Sequence, residues 1–384
     1  MTTLVVTNDF PPRIGGIESF VALACRLLDD DVAVLTSTAP GSAPGDAAAG
    51  YAVERLPGPL LPTGAVGRAA VDLLRRSGAD RVLFGAAAPL ALLAPTLRAA
   101  GADRIVALTH GHETWWATVP GSRDMLRRIG DEVDVLTTIS DYVTERIAPA
   151  LSPAGRSKLV RLPPPVDLDV FRPATARTSG AGTMTDGDSG TKRVVGVGRM
   201  VRRKGFDTLL DAWGLLDRAS SSAVGRRPEL VLVGDGPERR SLERQARDRG
   251  LGGVTFTGAL DPIGVLAQLQ RAAVFALPIR TRLGGLDPEG LGLAALEAAA
   301  CELPVVVGRS GGAPETVGHG RTGYVVDPDD PYELAVRLSD LLADPGHARE
   351  LGAAGREFVG DRFGADRARR VLRTALGLPG LATV

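Results

Sequence analysis

The stretch from Asp287 to Val307, DPEGLGLAALEAAACELPVVV, most constrains what this chain can fold into. Gly290 and Gly292 favour a loop at its start. An almost uncharged run rich in Ala and Leu follows, and Pro304 then precedes three valines. Ala and Leu are strong helix formers, proline ends helices, and β-branched residues favour strands. The stretch therefore predicts a loop, a helix over 291–301 and a buried strand.

Two carboxylates stand in this element. Glu297 is the one charged residue of the predicted helix, and an unpaired buried carboxylate is costly, so it must find a polar partner or stay neutral. Glu289 lies eight residues earlier, before the helix start, where backbone N–H groups and the positive end of the helix dipole favour anions. A satisfied helix-start glutamate and an incidental buried one would produce the same pattern.

The E-x7-E spacing of Glu289 and Glu297, within EGLGLAALEAAACELPVVVGRSGGAPE, resembles an element of retaining glycosyltransferases of family 4. This sequence departs from that family at Glu302, where members usually carry Gly after the helix. If residue 302 must be left-handed, a glutamate there costs about 1 kcal/mol.

Length and composition narrow the possibilities further. The 384 residues are enough for two α/β domains, each with a full core. Lys and Arg total 45, as do Asp and Glu, so no global charge attracts nucleic acid or membranes, and an anionic partner needs a local patch. Cys25 and Cys301 have neither metal-ligand nor redox spacing, and the N-terminus has no basic leader. We therefore expect a reduced, cytoplasmic protein that does not bind nucleic acid.

The N-terminal segment predicts a phosphate-binding turn. Leu4 to Thr7 has the pattern of a buried strand, and the loop NDFPPRIGG brings Gly15 and Gly16 to an amphipathic helix over Ile17–Leu28. A strand, a glycine turn and a helix can hold a phosphate, although a tight turn without a ligand has the same pattern. The longer string TNDFPPRIGGIESF resembles actinobacterial phosphatidylinositol mannosyltransferases of the same family, which implies that Gly15 and Gly16 close over the donor diphosphate.

The rest of the first half predicts a parallel, doubly wound sheet. The runs VAVLTS, DRVLFG, RIVALTH and VDVLTTIS alternate with helical or glycine-rich segments, and the loops after such strands carry the site. One of these loops, THGHETWWA, contains His112, Trp115 and Trp116. Its GHE-x-x-WA pattern again resembles the mannosyltransferases and implies that His112 lies beside the reacting sugar, whereas an isolated histidine would more often be packed or solvated.

The segment from Ser122 to Gly130 is amphipathic, with an apolar side formed by Met125, Leu126 and Ile129 and a basic side. The basic side carries Arg123, Arg127 and Arg128. These arginines form either a solvated helix face or, with Trp115 and Trp116 nearby, a patch for acidic lipid headgroups.

The second half opens with RVVGVGRMVRRKGFDTLLDAW, which predicts a strand, a loop and a helix. A dinucleotide fingerprint is incomplete because residue 201 is Val rather than the third glycine. Arg199 and Lys204 instead match the family's GR…KG pair. Two cations near a helix start would stabilise a departing diphosphate, although exposed basic residues alone would indicate little.

The resemblance covers nearly the whole chain except Ala174 to Thr191, a segment so poor in apolar residues that we expect a mobile loop without assigned chemistry. It implies an α/β fold of two facing, Rossmann-like, doubly wound domains, the GT-B class. The predicted segments are an acceptor-binding domain over 1–167, a linker and mobile loop over 168–191, a nucleotide-sugar-binding domain over 192–355, and a C-terminal helix over 356–384 that returns to the first domain.

The resemblance also implies roles in glycosyl transfer with retention of configuration. Arg199 and Lys204 would neutralise the diphosphate, and Glu297 would accept hydrogen bonds from the ribose hydroxyls. The sugar would be held by Glu289 and by the backbone amides of Gly290, Leu291 and Gly292. His112 and the loop of Gly15 and Gly16 would complete the site.

The resemblance to the mannosyltransferases implies GDP-mannose as co-substrate and phosphatidylinositol, or its monomannoside, as a lipid acceptor at the cytoplasmic face of the plasma membrane. No divalent metal is expected, because Arg199 and Lys204 supply positive charge and no Asp-x-Asp stands in a site-like loop. Three alternatives stay open: a family 4 enzyme with another nucleotide sugar and a soluble acceptor, a sugar-nucleotide epimerase, and a non-catalytic nucleotide-binding protein. The sequence does not indicate an oligomeric state.

Overall fold

The computed structural model describes residues 1–13, 15–28, 32–42, 46–47, 49–174, 192–220 and 228–379. The predicted mobile loop, from Ala174 to Thr191, lies outside the described residues except for Ala174. The chain forms two compact units, one of Met1–Pro165 with Ala365–Val384 and the other of Val166–Gly364.

The first unit is built on a parallel sheet. Its strands are β1 (Thr3–Val6), β2 (Val32–Ser37), β3 (Ala52–Leu56), β4 (Arg81–Phe84), β5 (Arg104–Leu108), β6 (Val135–Thr138) and β7 (Leu159–Arg161). Within the described residues they pair in the order β3-β2-β1-β4-β5-β6-β7, with Thr3 of β1 opposite both Val32 and Arg81. The strands β1, β2 and β6 are buried along their whole length, and β4 and β5 are buried after their first residue, which is why these strands appear in the sequence as largely apolar runs.

Helices cover this sheet. They are α1 (Gly16–Leu28), α2 (Gly64–Ser77), α3 (Ala94–Ala99), α4 (Glu113–Trp116), α5 (Pro120–Glu132), α6 (Asp141–Ile147) and α7 (Pro153–Arg156). The apolar face of α1 packs into a core with β1, β2 and β4, and includes Phe20, Val21 and Leu28. The glycine turn predicted before α1 therefore leads directly from the sheet into a buried helix.

The second unit repeats this architecture. Its strands are β8 (Arg193–Val197), β9 (Glu229–Val233), β10 (Val254–Gly258), β11 (Val274–Leu277), β12 (Val305–Gly308) and β13 (Gly323–Val326). Its helices are α8 (Phe206–Ser220), α9 (Arg239–Asp248), α10 (Pro262–Leu269), α11 (Leu293–Ala300), α12 (Pro331–Ala343) and α13 (Pro345–Phe363). Across the described part of this unit the parallel strand order is β10-β9-β8-β11-β12-β13.

The C-terminal tail belongs to both units. The segment from Glu357 to Leu378, which has a helical pattern throughout, forms the end of α13 and a separate helix, α14 (Ala365–Ala375), on either side of Gly364. Arg81 and Arg104, at the starts of β4 and β5, donate to the carbonyls of Leu376 and Ala375 at 2.9 and 2.8 Å. These bonds satisfy the open end of α14, whose apolar side joins the core of the first unit.

The helix α11 ends in a strained residue. Glu302 has a φ of 62°, the left-handed conformation considered above for this position. Gly352 of α13 packs against it so closely that an added Cβ would lie 1.9 Å from the Glu302 carbonyl oxygen. Arg356 of α13 donates to the carbonyl of Ala300 and, at 2.9 Å, to that of Phe171, which ties the end of α11 to the connector before the second sheet.

The strand orders locate the ligand-binding edges. In each sheet the direction in which successive strands are added changes at one place. This place lies between β1 and β4 in the first sheet and between β8 and β11 in the second. Ligands of such sheets bind where the loops diverge at the carboxyl ends of these strands. Gly15 and Gly16 follow β1, Arg199 and Lys204 follow β8, and the loop that contains Glu289 follows β11. In the part of the chain that is described, no helix combines the length and apolar character needed to cross a bilayer.

Candidate active site

The basic loop after β8 is held against the loop after β11 by a glycine. Residues Arg202–Lys204 form a single 3-10 turn that ends at Gly205, whose φ is 71°. A Cβ at Gly205 would lie 1.9 Å from the carbonyl oxygen of Pro278, so only glycine permits this approach. The approach places Lys204 beside the carboxylates of the second loop, while Arg199 is exposed to solvent.

A compact charge cluster results. The ammonium Nζ of Lys204 lies 2.7 Å from Oε2 of Glu289, and both side chains are largely buried. Arg203 donates through Nη1 to Asp287 at 2.9 Å, and its Nε lies 3.7 Å from the same Glu289 oxygen. Burial raises the pKa of Glu289, but the charges of Lys204 and Arg203 outweigh it and hold that pKa below its usual value. Glu289 is therefore an anion at neutral pH.

The backbone around Glu289 is fixed as well. Its carbonyl accepts from the N–H of Gly312 at 2.9 Å, and a Cβ on Gly311 would lie 2.0 Å from that carbonyl oxygen. Gly292, with a φ of 102°, sets the start of α11 without a side-chain cap. The segment of Gly290, Leu291 and Gly292 thus presents a helix start next to an anchored carboxylate.

Glu297 lies one turn into α11 among apolar neighbours. Burial raises the pKa of its carboxyl to about 7. Burial is the cause of this shift, and it favours the neutral form of the carboxyl over the charged form. A polar ligand that donates to this carboxylate would favour its charged form.

The glycine turn of the first unit stands at the start of α1. Ser19 donates its N–H to the Gly15 carbonyl at 3.0 Å, which closes the first helical turn. A Cβ on Gly16 would have nothing within 4 Å, and the φ of Gly16 is not left-handed. Neither space nor backbone conformation therefore requires glycine at residue 16.

The loop after β5 assembles two histidines and a buried carboxylate. His110 Nε2 lies 2.6 Å from the carbonyl oxygen of Gly85, and burial lowers the pKa of its ring. Its ring stacks on that of His112, with centroids 6.4 Å apart. Glu113 is fully buried, and its Oε1 lies 3.3 Å from Nε2 of His112. His112 itself is 40% exposed, so one part of its ring faces solvent.

The amphipathic segment lies within α5. Leu126 and Ile129 are buried, whereas Met125, on the same predicted apolar side, is 38% exposed. Trp115 and Val119, just before α5, are also exposed. The predicted basic residues are all exposed: Arg123, Arg127 and Arg128. Arg123 donates to the Pro149 carbonyl at 3.0 Å, and Trp116 is half-buried.

The sequence motifs do not single out three residues of these clusters. Arg203 stands in the run RRK, in which only Lys204 matches the family pattern. Glu113 is the last residue of the GHE motif and His110 directly precedes that motif, but neighbouring letters do not indicate which side chain turns inward.

Two family models account for most of the chain. Glycosyltransferase Family 4 matches residues 14–170, and Glycosyl transferases group 1 matches residues 186–358. Two doubly wound units with charged loops at their reversal points are the features of GT-B glycosyltransferases. The chain belongs to this glycosyltransferase family, as its motifs predicted.

Particular relatives are more informative. The chain is 45% identical over 366 residues to the GDP-mannose-dependent alpha-(1-6)-phosphatidylinositol monomannoside mannosyltransferase of Mycobacterium tuberculosis, with 93% of each chain covered. It is 43% identical over 364 residues to the GDP-mannose-dependent monoacylated alpha-(1-6)-phosphatidylinositol monomannoside mannosyltransferase of Corynebacterium glutamicum, again with 93% of each covered. Its fold matches that of HepE from Anabaena in complex with UDP, with a TM-score of 0.80 over 98% of this chain and 100% of the other, at 17% identity. The predicted fold class is confirmed.

Proposed function

We propose that this protein transfers mannose from GDP-mannose to a phosphatidylinositol-type lipid acceptor, with phosphatidylinositol monomannoside as the preferred acceptor, and with retention of configuration. The observation that carries the proposal is the pairing of Lys204 with Glu289 at the reversal point of the second sheet. This pairing puts a cation, which can bind the diphosphate of a sugar nucleotide, next to an anion, which can accept hydrogen bonds from the sugar hydroxyls. The names of the Mycobacterium tuberculosis and Corynebacterium glutamicum relatives support the donor and the acceptor.

The charges of the cluster support a diphosphate site. Within the cluster the two positive charges of Arg203 and Lys204 balance the two negative charges of Asp287 and Glu289. Arg199, exposed in the same loop as Lys204, adds one further positive charge. An incoming diphosphate competes with Glu289 for the Lys204 ammonium. The released carboxylate can then accept hydrogen bonds from sugar hydroxyls, while Lys204 and Arg199 stabilise the charge that develops on the leaving GDP.

The other predicted roles extend this mechanism. The helix start formed by Gly290, Leu291 and Gly292 donates backbone amides towards the sugar, and Glu297 accepts from the ribose hydroxyls. Gly15 and Gly16 allow the start of α1 to approach a phosphate. His112 presents an exposed ring edge beside the reacting sugar.

The lipid acceptor places the reaction at a membrane surface. Leaving the bilayer costs a lipid about 0.8 kcal/mol for each CH₂ exposed to water. The enzyme must therefore come to the membrane, and we propose the cytoplasmic face of the plasma membrane as its peripheral location. Arg123, Arg127 and Arg128, with Trp115 and Trp116, form the proposed contact.

The decisive experiment compares donors and acceptors side by side. The purified protein is incubated with radiolabelled GDP-mannose, GDP-glucose, UDP-glucose or UDP-N-acetylglucosamine, each with phosphatidylinositol, its monomannoside or a soluble inositol phosphate. Label in the lipid fraction from GDP-mannose alone is expected, greatest with the monomannoside. Transfer to the soluble acceptor from a uridine donor would replace this proposal with the other family 4 activity. A chelator is included in a parallel series, where turnover should persist because arginine and lysine supply the positive charge.

A further inference from the structure

The loop after β5 contains a carboxylate to which neither the sequence motifs nor the proposed reaction gives a role. Glu113 is fully buried at the start of α4. Its Oε2 accepts from the backbone N–H groups of His110 and Gly111, at 3.0 and 3.1 Å. These two bonds hold the carboxylate in one orientation.

The second oxygen has no such partner. Within the described residues, Oε1 of Glu113 is buried and makes no hydrogen bond, and Nε2 of His112 lies 3.3 Å from it. A buried carboxylate oxygen without a donor is costly. A modest rotation of the exposed His112 ring would supply that donor, and such contacts often tighten only when substrate is bound.

We propose that Glu113 is a positioning residue that acts through His112. Its Oε1 selects the tautomer of His112 in which Nε2 carries the hydrogen, and it fixes the plane of the ring. In a neutral histidine only one ring nitrogen carries a hydrogen, and the hydrogen bonds made by the two nitrogens decide which one it is. Nδ1 of His112 is then the ring acceptor presented to the reacting groups.

The neighbouring histidine supports the same arrangement. A carbonyl can only accept, so His110 Nε2 must carry a hydrogen towards Gly85. His110 is thereby locked, and its ring stacks at 16° to that of His112. Phe20 covers another face of His110 edge-on, with centroids 5.9 Å apart. His112 is held between this fixed ring and the Glu113 carboxylate.

The test exploits the near-isosteric substitution Glu113→Gln. The amide oxygen of Gln can accept both backbone bonds, but its NH₂ group then faces His112 and requires Nε2 to be an acceptor. The tautomer should invert. Ring ¹⁵N chemical shifts report this directly, and the chain has only four histidines, so His112→Asn identifies the signal by its loss. Glu132→Gln, at the exposed end of α5, is the matched control.

Kinetics supply the second readout, and this part rests on the proposed mannosyl transfer. Glu113→Gln should lower kcat at least about tenfold, as expected when a catalytic histidine loses its orienting carboxylate, with the KM for GDP-mannose within about twofold of wild type. In a His112→Asn background the same substitution should change kcat by less than about twofold, because its effect passes through the missing ring.

The outcomes are distinct. An unchanged His112 tautomer in Glu113→Gln, or equal losses of kcat with and without His112, would overturn the inference and leave Glu113 as a structural residue only. If wild-type protein turns over no GDP-mannose, the proposed function fails, whereas the ¹⁵N shifts still decide whether Glu113 sets the tautomer. A melting temperature within a few degrees of wild type is required of each variant. Where Gln does not fold, Glu113→Asp replaces it: its carboxylate is one CH₂ shorter and lies farther from His112, so a mixture of the two tautomers is expected and an unchanged tautomer would overturn the inference.

Discussion

Lys204 Nζ and Glu289 Oε2 lie 2.7 Å apart, although the two residues are separated by 85 positions in the chain. The contact joins the lysine of the family's GR…KG pair to the first glutamate of its E-x7-E element. Because both side chains are only 12–13% exposed, neither charge can be removed without affecting the other.

Replacement of either cation should impair transfer strongly. We expect Lys204→Ala and Arg199→Ala each to lower turnover at least about a hundredfold, since the loss of one group that stabilises developing charge typically costs about 3 kcal/mol. Lys204→Ala should also destabilise the fold by about 1–3 kcal/mol, because Glu289 keeps only the more distant Arg203. Steady-state kinetics and urea unfolding measure both effects. Exposed Lys192→Ala and Arg240→Ala are the controls, and wild-type turnover in Lys204→Ala would refute the assignment.

Replacement of Glu289 by Gln should separate sugar binding from nucleotide binding. The variant keeps a hydrogen-bonding side chain beside Lys204 but loses the charge assigned to the sugar. We expect almost no transfer, with the affinity for free GDP within a few-fold of wild type by calorimetry. A large loss of GDP affinity would place Glu289 in the nucleotide site instead.

The raised pKa of Glu297 predicts a pH-dependent stability. Its folded-state pKa of about 7 lies above the ordinary value of 4.5, so between these values the folded protein retains a proton that the unfolded chain has lost. The free energy of unfolding should therefore fall as pH rises through this window, by up to about 3 kcal/mol from this group. Glu297→Gln should remove that slope in urea titrations, whereas exposed Glu302→Gln should keep it. The same charge links pH to GDP binding, which should weaken below pH 7 in wild type only.

A substitution at Gly16 should affect turnover without lowering the stability of the fold. Since a Cβ there meets no atom within 4 Å, Gly16→Ala should fold as well as wild type and gain up to about 1 kcal/mol from the restricted unfolded chain. The added methyl group should nevertheless obstruct a phosphate that approaches the start of α1, and turnover should fall at least about tenfold. Unchanged kinetics in a stable Gly16→Ala protein would mean that this turn holds no ligand.

The basic face of α5 predicts salt-sensitive membrane binding. The exposed arginines could each gain about 1 kcal/mol near anionic headgroups, and exposed Trp115 and Met125 suit an interface. Cosedimentation should occur with anionic but not zwitterionic vesicles, and should weaken with salt and when Arg123, Arg127 and Arg128 are changed to Ser. The matched control changes three exposed arginines of α9: Arg240, Arg244 and Arg247. Equal binding by both triple variants would remove this patch from the proposal.

The left-handed Glu302 predicts a stabilising substitution. Glycine adopts a φ of 62° without the steric cost of a Cβ, so Glu302→Gly should raise the free energy of unfolding by about 1 kcal/mol. Glu302→Ala, which retains the Cβ, should not. Chemical denaturation of both variants measures the difference, and an equal effect of the two would show that backbone strain is not its source.

Several features of the protein could be read from local sequence. The run from Leu293 to Ala300 and the valines after Pro304 specify a helix and a buried strand by composition alone, because propensity and burial act over a few neighbouring residues. The alternation of such elements predicted doubly wound sheets, and the motifs around Glu289 and Lys204 predicted the family. The sequence could also indicate that Glu297 must either find a polar partner or stay neutral, since its apolar neighbours are adjacent in the chain.

Other features required the tertiary structure. The pairing of Lys204 with Glu289 depends on two loops that the sheet order brings together. The inward turn of Glu113 and the open space around Gly16 depend on how the folded backbone runs at those positions. The tail likewise divides at Gly364, where α13 stays with the second unit and α14 joins the core of the first. Gly364 is a local signal for a helix end, but no local pattern reveals that the helices on its two sides join different units. Sequence determines which elements form because those forces are local, whereas the site depends on distances between residues far apart in the chain.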